Sequence, residues 1–598
     1  MQKIKKYLVT LLASAALIAS LTCLANAAGY PPAPPAGKLG AIIVNPYDNA
    51  PLTAVVLLNG HEISDVKVTV HGKGEKGIDI SYPVGKTSLL THDGVPIFGM
   101  YASYKNKVTV EWKEDGKSMK EDYNILTGPI TNHYVDNRSL SVLQPVNVKK
   151  MSKGFEDRLY LINSSTNTFH GSDLHWAGQK PQNAHPLDPS PAVGSMSFEA
   201  APMTYIIDSQ GEYRWWLNQD ATFKGYDMDV YKRGYLMGLS QTKDGSYVFG
   251  QGQTWGEFDM LGRIITHKPL PGNYIDQSHE ARYTSNNTVL LRVGKKNYRR
   301  PDGQVVHTVR DQIIEVDMKG NLLDAWDLNK ILLPLRDDLL GALDQGAVCL
   351  NVDLEHAGQQ AELEPDTPFG DALGVGPGRN WAHVNSIEYD PKDDSIIVSL
   401  RHQGVMKIGR DKQVKWILTP NIGWEHLSDR VLTPVDSKGR KLNCQGAVCE
   451  GTDFDWTFTQ HTAWLSSKGT LTVFDNGDGR GYEQPALPSM KYSRFVEYKI
   501  DEKNMTVQQV WEYGKEKGYD WYSPVTSVTE YRPETDTMFN FSGSIDLFKQ
   551  GPAPTLGKLT EIDYKSKEIK VEIDVLTDKP HKPHYRALVV NDDTLFAK

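Results

Sequence analysis

Three histidines occupy the same position of a repeated hairpin pattern: His279, His383 and His461. Each leads a short apolar strand, and a turn that ends in Ser or Thr follows nine to twelve residues later. If the repeated hairpins are arranged around one axis, the three imidazoles converge at the mouth of a central channel. We expect His461 to face the surface there.

Two further polar residues accompany His383. Asn385 lies two residues further along the strand and is expected on the same side. Arg401 ends the returning strand, roughly opposite His383. The five side chains form a cup that is rich in hydrogen-bond donors and contains no carboxylate. This cup suits a tetrahedral oxyanion better than a metal, because a guanidinium repels cations and binds oxoanions with two N–H groups.

Other interpretations of the histidines stay open at this point. A single histidine is most often a structural residue, and three histidines are also a ligand set for zinc or copper. A nucleotide site is disfavoured, because the chain contains no GxxxxGK[ST] motif. The segment GVGPGRN at 374–380 has glycines but no strand before it and no helix pattern after it. From the missing nucleotide motifs we predict no cofactor, and from the arginine-containing cup we favour no bound metal over the metal alternative.

Two hairpin types alternate from about residue 155 onwards. The first joins an apolar strand, Asp and a turn to a second apolar or Trp-bearing strand, and its copies begin at Tyr205, Phe258, Ile313, Val405, Phe495 and Leu559. The second places Gly, Asn or Asp before a Ser or Thr, which is Ser246, Thr288, Ser395, Thr470, Thr537 or Thr594. Six alternating pairs of hairpins predict a six-bladed β-propeller.

The order of the hairpins predicts how this propeller closes. The Tyr205 hairpin and a last hairpin turning at Thr594 would complete one blade together and remove the open sheet edge. Two long insertions, 329–381 and 419–459, run into histidine-headed strands and are expected to wall a pocket. The segment PLRDDLLGALDQG, 334–346, predicts a short helix in the first insertion.

The sequence divides into three predicted regions. Residues 1–27 have three lysines, an uncharged apolar run and Ala25-Asn26-Ala27, which predict a cleaved signal peptide and a periplasmic location. A membrane anchor is disfavoured, because the apolar run is short for a membrane span. Residues 28–150 begin with a Pro-rich lead-in and continue as short β-branched segments, typical of a small β-sandwich. Residues 151–598 are the predicted propeller domain.

The net charge and the absence of a basic tract limit which classes of partner we expect. Removal of the signal-peptide lysines changes the formal charge from −9 to −12, and the acidic chain has no basic tract. Nucleic acid and anionic membrane are therefore disfavoured as partners.

Cys444 and Cys449 enclose four residues of a polar segment and are interpreted as a disulfide, since no second Cys pair completes a metal site. Cys349 is predicted to be a buried free thiol.

Three long motifs resemble the bacterial arylsulfate sulfotransferases. They are WAHVNSIEYDPKDDSIIVSLRHQG at 381–404, FTQHTAW at 458–464 and MKYSRFVEYKIDE at 490–502. The resemblance extends over essentially all of the chain after the signal peptide. It implies a six-bladed propeller behind a small β-domain in a periplasmic homodimer. It also implies that an aryl sulfate, not an activated nucleotide, donates the sulfuryl group to a phenol.

The resemblance assigns roles to the residues of the cup. His461 in FTQHTAW matches the histidine that accepts the sulfuryl group. The positions that match the other sulfuryl-binding residues are His279, His383, Asn385 and Arg401. His383 is also the favoured acid or base for the phenol. The family carries a disulfide in the loop before the nucleophile, matched by Cys444 and Cys449, and this bridge implies a periplasmic thiol oxidase as a partner.

Two competing functions remain at this level. A sulfatase would pass the group to water, but none of the cysteines has the Cys-x-Pro-x-Arg context of a formylglycine enzyme. A propeller that binds an aryl ligand or a metal without turnover is the other alternative.

Overall fold

The computed structural model describes most of the chain. The described residues are 37–130, 143–166, 201–218, 236–299 without 253 and 276, 305–336 without 334, 382–482, and 488–598 without 550, 578, 579 and 581. The predicted signal peptide, Cys349 and nearly all of the 329–381 insertion with its predicted helix lie outside them. No helix among the described residues is long and apolar enough to cross a membrane.

Two sheets near the N-terminus form the predicted β-sandwich. Their elements are β1 (Ile42–Val44), β2 (Ala54–Leu57), β3 (Ser64–Val70), β4 (Ile80–Val84), helix α1 (Lys86–His92), β5 (Gly94–Ile97), β6 (Lys105–Glu114) and β7 (Lys117–Leu126). The strand orders are β1-β2-β5 and β4-β3-β6-β7. On β3, the buried Val66, Val68 and Val70 alternate with more exposed residues, as expected when one face of a strand covers a core.

The rest of the described chain forms six propeller blades, which confirms the predicted fold class. The first strands are β8 (Val146–Met151), β9 (Leu159–Thr166), β10 (Ala201–Asp208) and β11 (Tyr213–Trp216). Blade 2 contains β12 (Met237–Gln241), β13 (Tyr247–Gln251), β14 (Thr254–Phe258) and β15 (Ile264–Pro269). Blade 3 contains β16 (Tyr274–Ile275), β17 (Ala281–Tyr283), β18 (Thr288–Arg299), β19 (Val305–Asp317) and β20 (Leu322–Asp327), followed by helix α2 (Leu328–Ile331).

The later blades follow the same plan. Blade 4 contains β21 (Val384–Asp390), β22 (Ser395–Leu400), β23 (Gly404–Ile408) and β24 (Val414–Leu418). The 419–459 insertion contains a 3-10 helix (Glu425–Arg430), β25 (Thr433–Pro434), β26 (Cys444–Gln445) and β27 (Val448–Cys449). Blade 5 contains β28 (His461–Leu465), β29 (Leu471–Asp475), β30 (Arg494–Asp501) and β31 (Thr506–Tyr513), and β25 pairs with β31.

Short 3-10 helices occur between and beside these strands, at Arg480–Tyr482, Pro488–Met490 and Lys515–Trp521. Blade 6 contains β32 (Val528–Arg532), β33 (Thr537–Ile545), β34 (Leu556–Asp563) and β35 (Ile569–Leu576), with β8 at its outer edge. The chain ends with β36 (Arg586–Val589) and helix α3 (Asp592–Leu595).

Blade 1 is built from both ends of the propeller sequence. Its strand order is β11-β10-β9-β36, and Arg586 lies opposite Asn163 in the β36–β9 pair. The predicted last hairpin at Thr594 is wrong, because Thr594 lies in helix α3. The strand β9, which precedes the Tyr205 hairpin, already pairs with β36. The blade is therefore complete without a second C-terminal strand, and closure still removes the open edge.

The Ser and Thr residues that mark the second hairpin type hold neighbouring strands together. In four blades the hydroxyl donates a hydrogen bond to a Glu of the third strand; the pairs are Ser246–Glu257, Thr288–Glu315, Thr470–Glu497 and Thr537–Glu561. In blade 4 the third strand carries Lys407 instead, which donates to Asp390 at 2.7 Å and Glu502 at 2.6 Å. A buried polar group needs such a partner, which explains why the turn residue recurs.

Five of the innermost strands have a residue with left-handed backbone conformation at or beside their first residue. β12, β17, β21, β28 and β32 contact one another in sequence around the axis. The residues with positive φ at or beside their starts are Gly238 (65°), His279 (66°), His383 (53°), Thr462 (48°) and Ser527 (92°). Only glycine adopts such angles freely, and backbone strain of this kind concentrates at functional sites. In blade 5 the strained residue follows His461, so the three histidines are not strictly equivalent.

Candidate active site

The structure brings the three predicted histidines together in the interior. Their exposed fractions are 4% for His279, 3% for His383 and 3% for His461. The Nε2 atoms of His279 and His383 lie 3.2 Å apart, with the two rings edge to face. His461 lies close enough to influence the charge of both. The prediction that His461 faces the surface is wrong, because its ring is enclosed by blades 5 and 6.

His461 is held by hydrogen bonds at both ring nitrogens. Its Nδ1 lies 2.7 Å from Oδ1 of Asn476, and the Thr526 amide N–H donates to its Nε2 at 3.3 Å. Burial, and next the positive charge of Arg401, hold the pKa of His461 well below its usual 6.5. The imidazole is therefore neutral at neutral pH, which is the form that can act as a nucleophile.

Asn476 is a site residue that the sequence reasoning missed. It follows β29, whose Phe474 pairs with His461 across the hairpin. Its Nδ2 donates to the main-chain oxygens of Ser523 at 2.7 Å and Thr526 at 3.1 Å. A polar residue just beyond the strand opposite a candidate nucleophile is the sequence signal for it.

A chain of polar groups orients the other two histidines. Arg292 Nη1 donates to Ser278 Oγ at 2.8 Å, and this hydroxyl lies 2.8 Å from Nδ1 of His279. The pKa of His279 is held well below its usual value by burial and then by Arg292. Burial and then His279 do the same for the pKa of His383. Both rings are therefore uncharged at neutral pH, and the positive charge of the site comes from arginine.

Arg401 lies where its place in the hairpin predicts. Its main-chain N–H donates to the His383 oxygen at 2.9 Å. The Nη1 group donates to the main-chain oxygens of Thr459 and Pro524, both at 3.0 Å, and Nη2 lies 3.5 Å from Asp478 Oδ2. The guanidinium thus connects blade 4 to the segments that enter blades 5 and 6. Asp478 adds a carboxylate beside the cup that the sequence-based set did not include.

Asn385 contacts a different neighbour from His383. Its Nδ2 donates to the Gln460 oxygen at 2.6 Å, on the blade 5 side, whereas His383 contacts His279 of blade 3. A β-bulge between Val384 and Ser386 interrupts the alternation on which the expected common side depended. The Asn385 Oδ1 is buried and has no hydrogen-bond partner among the described residues.

Two further arginines surround the histidines. Arg292 and Arg586 both lower the pKa of His279, as Arg401 does. Arg586 forms two hydrogen bonds to Glu280, at 2.9 and 3.2 Å, and its guanidinium lies 4.9 Å from the centre of the Trp464 ring. A charged residue within an otherwise apolar strand, as in LLRV and YRALV, is the sequence signal for both.

The surroundings favour an anion over a cation. The three guanidiniums outnumber the two carboxylates that contact them in the described part of the chain, Glu280 and Asp478, and the excess positive charge attracts an oxoanion. Among the described residues, no group of three or more His, Cys, Asp or Glu side chains is arranged to hold a metal ion.

The insertion before His461 contains the predicted disulfide. Cys444 and Cys449 face each other across the short β26–β27 pair, with their Sγ atoms 2.01 Å apart. Cys449 packs against a cluster that contains Phe454, Trp456 and Phe458. This cluster links the disulfide to the segment that leads directly into His461.

Family models match nearly the whole described chain. The Arylsulfotransferase (ASST) model matches residues 145–586, and the Arylsulfotransferase Ig-like domain model matches residues 41–128. With its six blades and its histidine and arginine cup, this chain belongs to the arylsulfotransferase family and is an enzyme.

Two relatives carry the same name. The arylsulfate sulfotransferase AssT of Escherichia coli O6:H1 is 65% identical over 572 residues, which cover 95% of this chain and 96% of the relative. The arylsulfate sulfotransferase AssT of Lelliottia amnigena is 64% identical over 574 residues, 96% of each chain. Among solved structures, a protein of unknown function from Bacteroides caccae has a TM-score of 0.34 at 11% identity, covering 73% of this chain and 99% of its own. A TM-score this low does not support any inference from that structure.

Proposed function

We propose that this protein moves a sulfuryl group from an aryl sulfate to a phenol through a covalent intermediate on His461. The observation that carries the proposal is the neutral, doubly hydrogen-bonded imidazole beside Arg401, within a matched sulfotransferase chain. A nucleophile that must attack an anionic sulfate ester benefits from being uncharged and from having cations around it.

In the first step, the ring-nitrogen lone pair of His461 gives up its hydrogen bond from the Thr526 N–H and attacks sulfur. An N–S bond forms, the S–O bond to the aryl group breaks, and the phenolate leaves with the bonding electron pair. The ring gains a positive charge and the sulfonate keeps its negative charge. Arg401 and the buried donors around it stabilise the sulfuryl oxygens while charge shifts onto the leaving oxygen.

In the second step, an acceptor phenol attacks the sulfur, the N–S bond breaks and neutral His461 returns. The acceptor must lose its proton during this step. Burial depresses the pKa of His383, so the ring is uncharged and free to take that proton during the attack. The same depressed pKa makes the protonated ring release the proton to water afterwards, which restores the starting state. His279 contacts His383 and orients it, and Asn385 holds the segment that precedes His461.

The test is whether the donor half of the reaction proceeds alone. Protein mixed with p-nitrophenyl sulfate and no acceptor should release one equivalent of p-nitrophenol and gain a sulfonate on His461, seen by mass spectrometry at neutral or higher pH. Double-reciprocal plots at several acceptor concentrations should be parallel. His461→Ala should release no phenol while it unfolds cooperatively. Intersecting lines without phenol release in the absence of acceptor would refute the intermediate and favour direct transfer.

We also propose that the enzyme works in the periplasm as a homodimer whose Cys444–Cys449 bridge is made by a thiol oxidase. Residues 1–27 support the location, the paired cysteines support the oxidase, and the homodimer rests on the resemblance to the arylsulfate sulfotransferases. Cell fractionation, light scattering of the purified protein and thiol titration test the three parts. Retention in the cytoplasm, a monomer or two free thiols would refute them in turn.

A further inference from the structure

We infer that Asn476 is a positioning residue that fixes the tautomer of His461, so that the lone pair which attacks sulfur lies on Nε2. The role of Asn476 in the reaction rests on the proposed function. The tautomer of His461 rests only on the hydrogen-bond geometry.

The orientation of the Asn476 amide is determined by its neighbours. Its Nδ2 lies 2.7 Å from the Ser523 oxygen and 3.1 Å from the Thr526 oxygen. Main-chain oxygens only accept hydrogen bonds, so the NH₂ group must face them and the amide cannot be reversed. Oδ1 therefore faces His461 and accepts from it.

The proton of His461 follows from that orientation. Oδ1 of Asn476 lies 2.7 Å from Nδ1 of His461, so Nδ1 carries the hydrogen. A neutral imidazole has one N–H, which leaves the lone pair on Nε2. The Thr526 amide supplies an independent check, because its N–H points at Nε2 from 3.3 Å and a donor faces an acceptor. Asn476 is fully buried, so water does not compete for these contacts.

The same hydrogen bond gains strength as the reaction proceeds. When Nε2 bonds to sulfur, the ring becomes positive and its Nδ1–H becomes a stronger donor. A neutral amide oxygen accepts that hydrogen without removing it, so the sulfonated ring stays cationic and remains a good leaving group in the second step. An interaction that is stronger in the transition state than in the ground state raises kcat and leaves KM nearly unchanged.

Two variants distinguish a role of Asn476 in orienting His461 from a purely structural role. Asn476→Leu removes the acceptor, and the single-turnover rate of phenol release should fall at least about tenfold, with KM changed less than about twofold. Asn476→Asp keeps an acceptor and adds a negative charge, so more activity should survive and the acidic limb of the pH–rate profile should move to higher pH. The matched control is Asn540→Leu, which removes another fully buried asparagine from blade 6, far along the chain from His461.

A purely structural role predicts a different outcome. Equal losses in both variants with an unmoved acidic limb, or a KM increase without a kcat decrease, would overturn the inference. If neither variant folds, the ¹⁵N-histidine NMR spectrum of the unmodified protein decides, with His461→Gln assigning the signals. A protonated Nδ1 and a bare Nε2 are expected, and the reverse tautomer refutes the inference. If no sulfonate forms on His461, the assignment of His461 as the nucleophile is refuted, whichever tautomer the ring has.

Discussion

Replacing Arg586 by methionine should destabilise the closed propeller more than a surface substitution does. Arg586 lies on β36, the C-terminal strand of blade 1, and its two Nη atoms contact the two carboxylate oxygens of Glu280 at 2.9 and 3.2 Å. The side chains are 3% and 0% exposed. Methionine refills most of the volume but leaves the Glu280 side chain without this partner in the interior.

The expected loss follows from that geometry. Removing one partner of a buried ion pair costs roughly 3–5 kcal/mol, because the remaining carboxylate loses its hydrogen-bonded partner without becoming hydrated. Loss of the guanidinium over Trp464, at 4.9 Å, adds about 1 kcal/mol. The double variant Glu280→Gln, Arg586→Met removes the charge as well and should regain roughly 2 kcal/mol of the single-variant loss.

Urea unfolding followed by tryptophan fluorescence measures these losses. Arg532→Met is a matched control, because its pairs with Glu530 and Glu534 involve partly exposed carboxylates, and it should lose about 1 kcal/mol. An Arg586→Met midpoint equal to that of the control would contradict the reasoning. So would a double variant that is less stable than Arg586→Met, since it would show that the buried charge is not the source of the loss.

Three further outcomes are expected. Arg401→Lys should lose about 100-fold in kcat, because a compact ammonium cannot reach both the two main-chain oxygens and a sulfuryl oxygen as the planar, forked guanidinium does; a rate within twofold of the parent would contradict this. Cys444→Ser with Cys449→Ser should lower stability by about 2 kcal/mol and reduce turnover, and unchanged melting and activity would show that the bridge is irrelevant. Burial lowers the pKa of His584 to about 4, so this ring opposes folding increasingly as pH falls from 6.5 towards 4, by up to about 3 kcal/mol; His584→Gln should flatten that decline in urea titrations, and an equally steep decline would refute it.

The repeat made the propeller predictable because each hairpin carries its own local signals. Alternating apolar residues, Asp-bearing turns and the recurrent Ser or Thr depend on neighbours within a few tens of residues. The exception was the C-terminus, where the Thr594 hairpin was wrong. Pairing β36 with β9 joins residues more than 400 positions apart, and no local pattern records such a partner.

The sequence by itself determined that several of the candidate site residues would lie together. His279, His383 and His461 lie at or just before the innermost strands of blades 3, 4 and 5, and Arg401 lies opposite His383, as the hairpin register requires. These positions could be predicted because strand geometry determines which residues face each other within one hairpin.

Only the tertiary structure decided the protonation states and orientations at the site. The neutral form of His461 depends on burial and on Arg401 of another blade, and its ring orientation depends on Asn476 and Thr526. The bulge at Asn385 turned that side chain towards blade 5, against the alternation expected from sequence. Burial, electric potential and hydrogen-bond partners between blades arise from packing of distant segments, so a pattern read along the chain does not contain them.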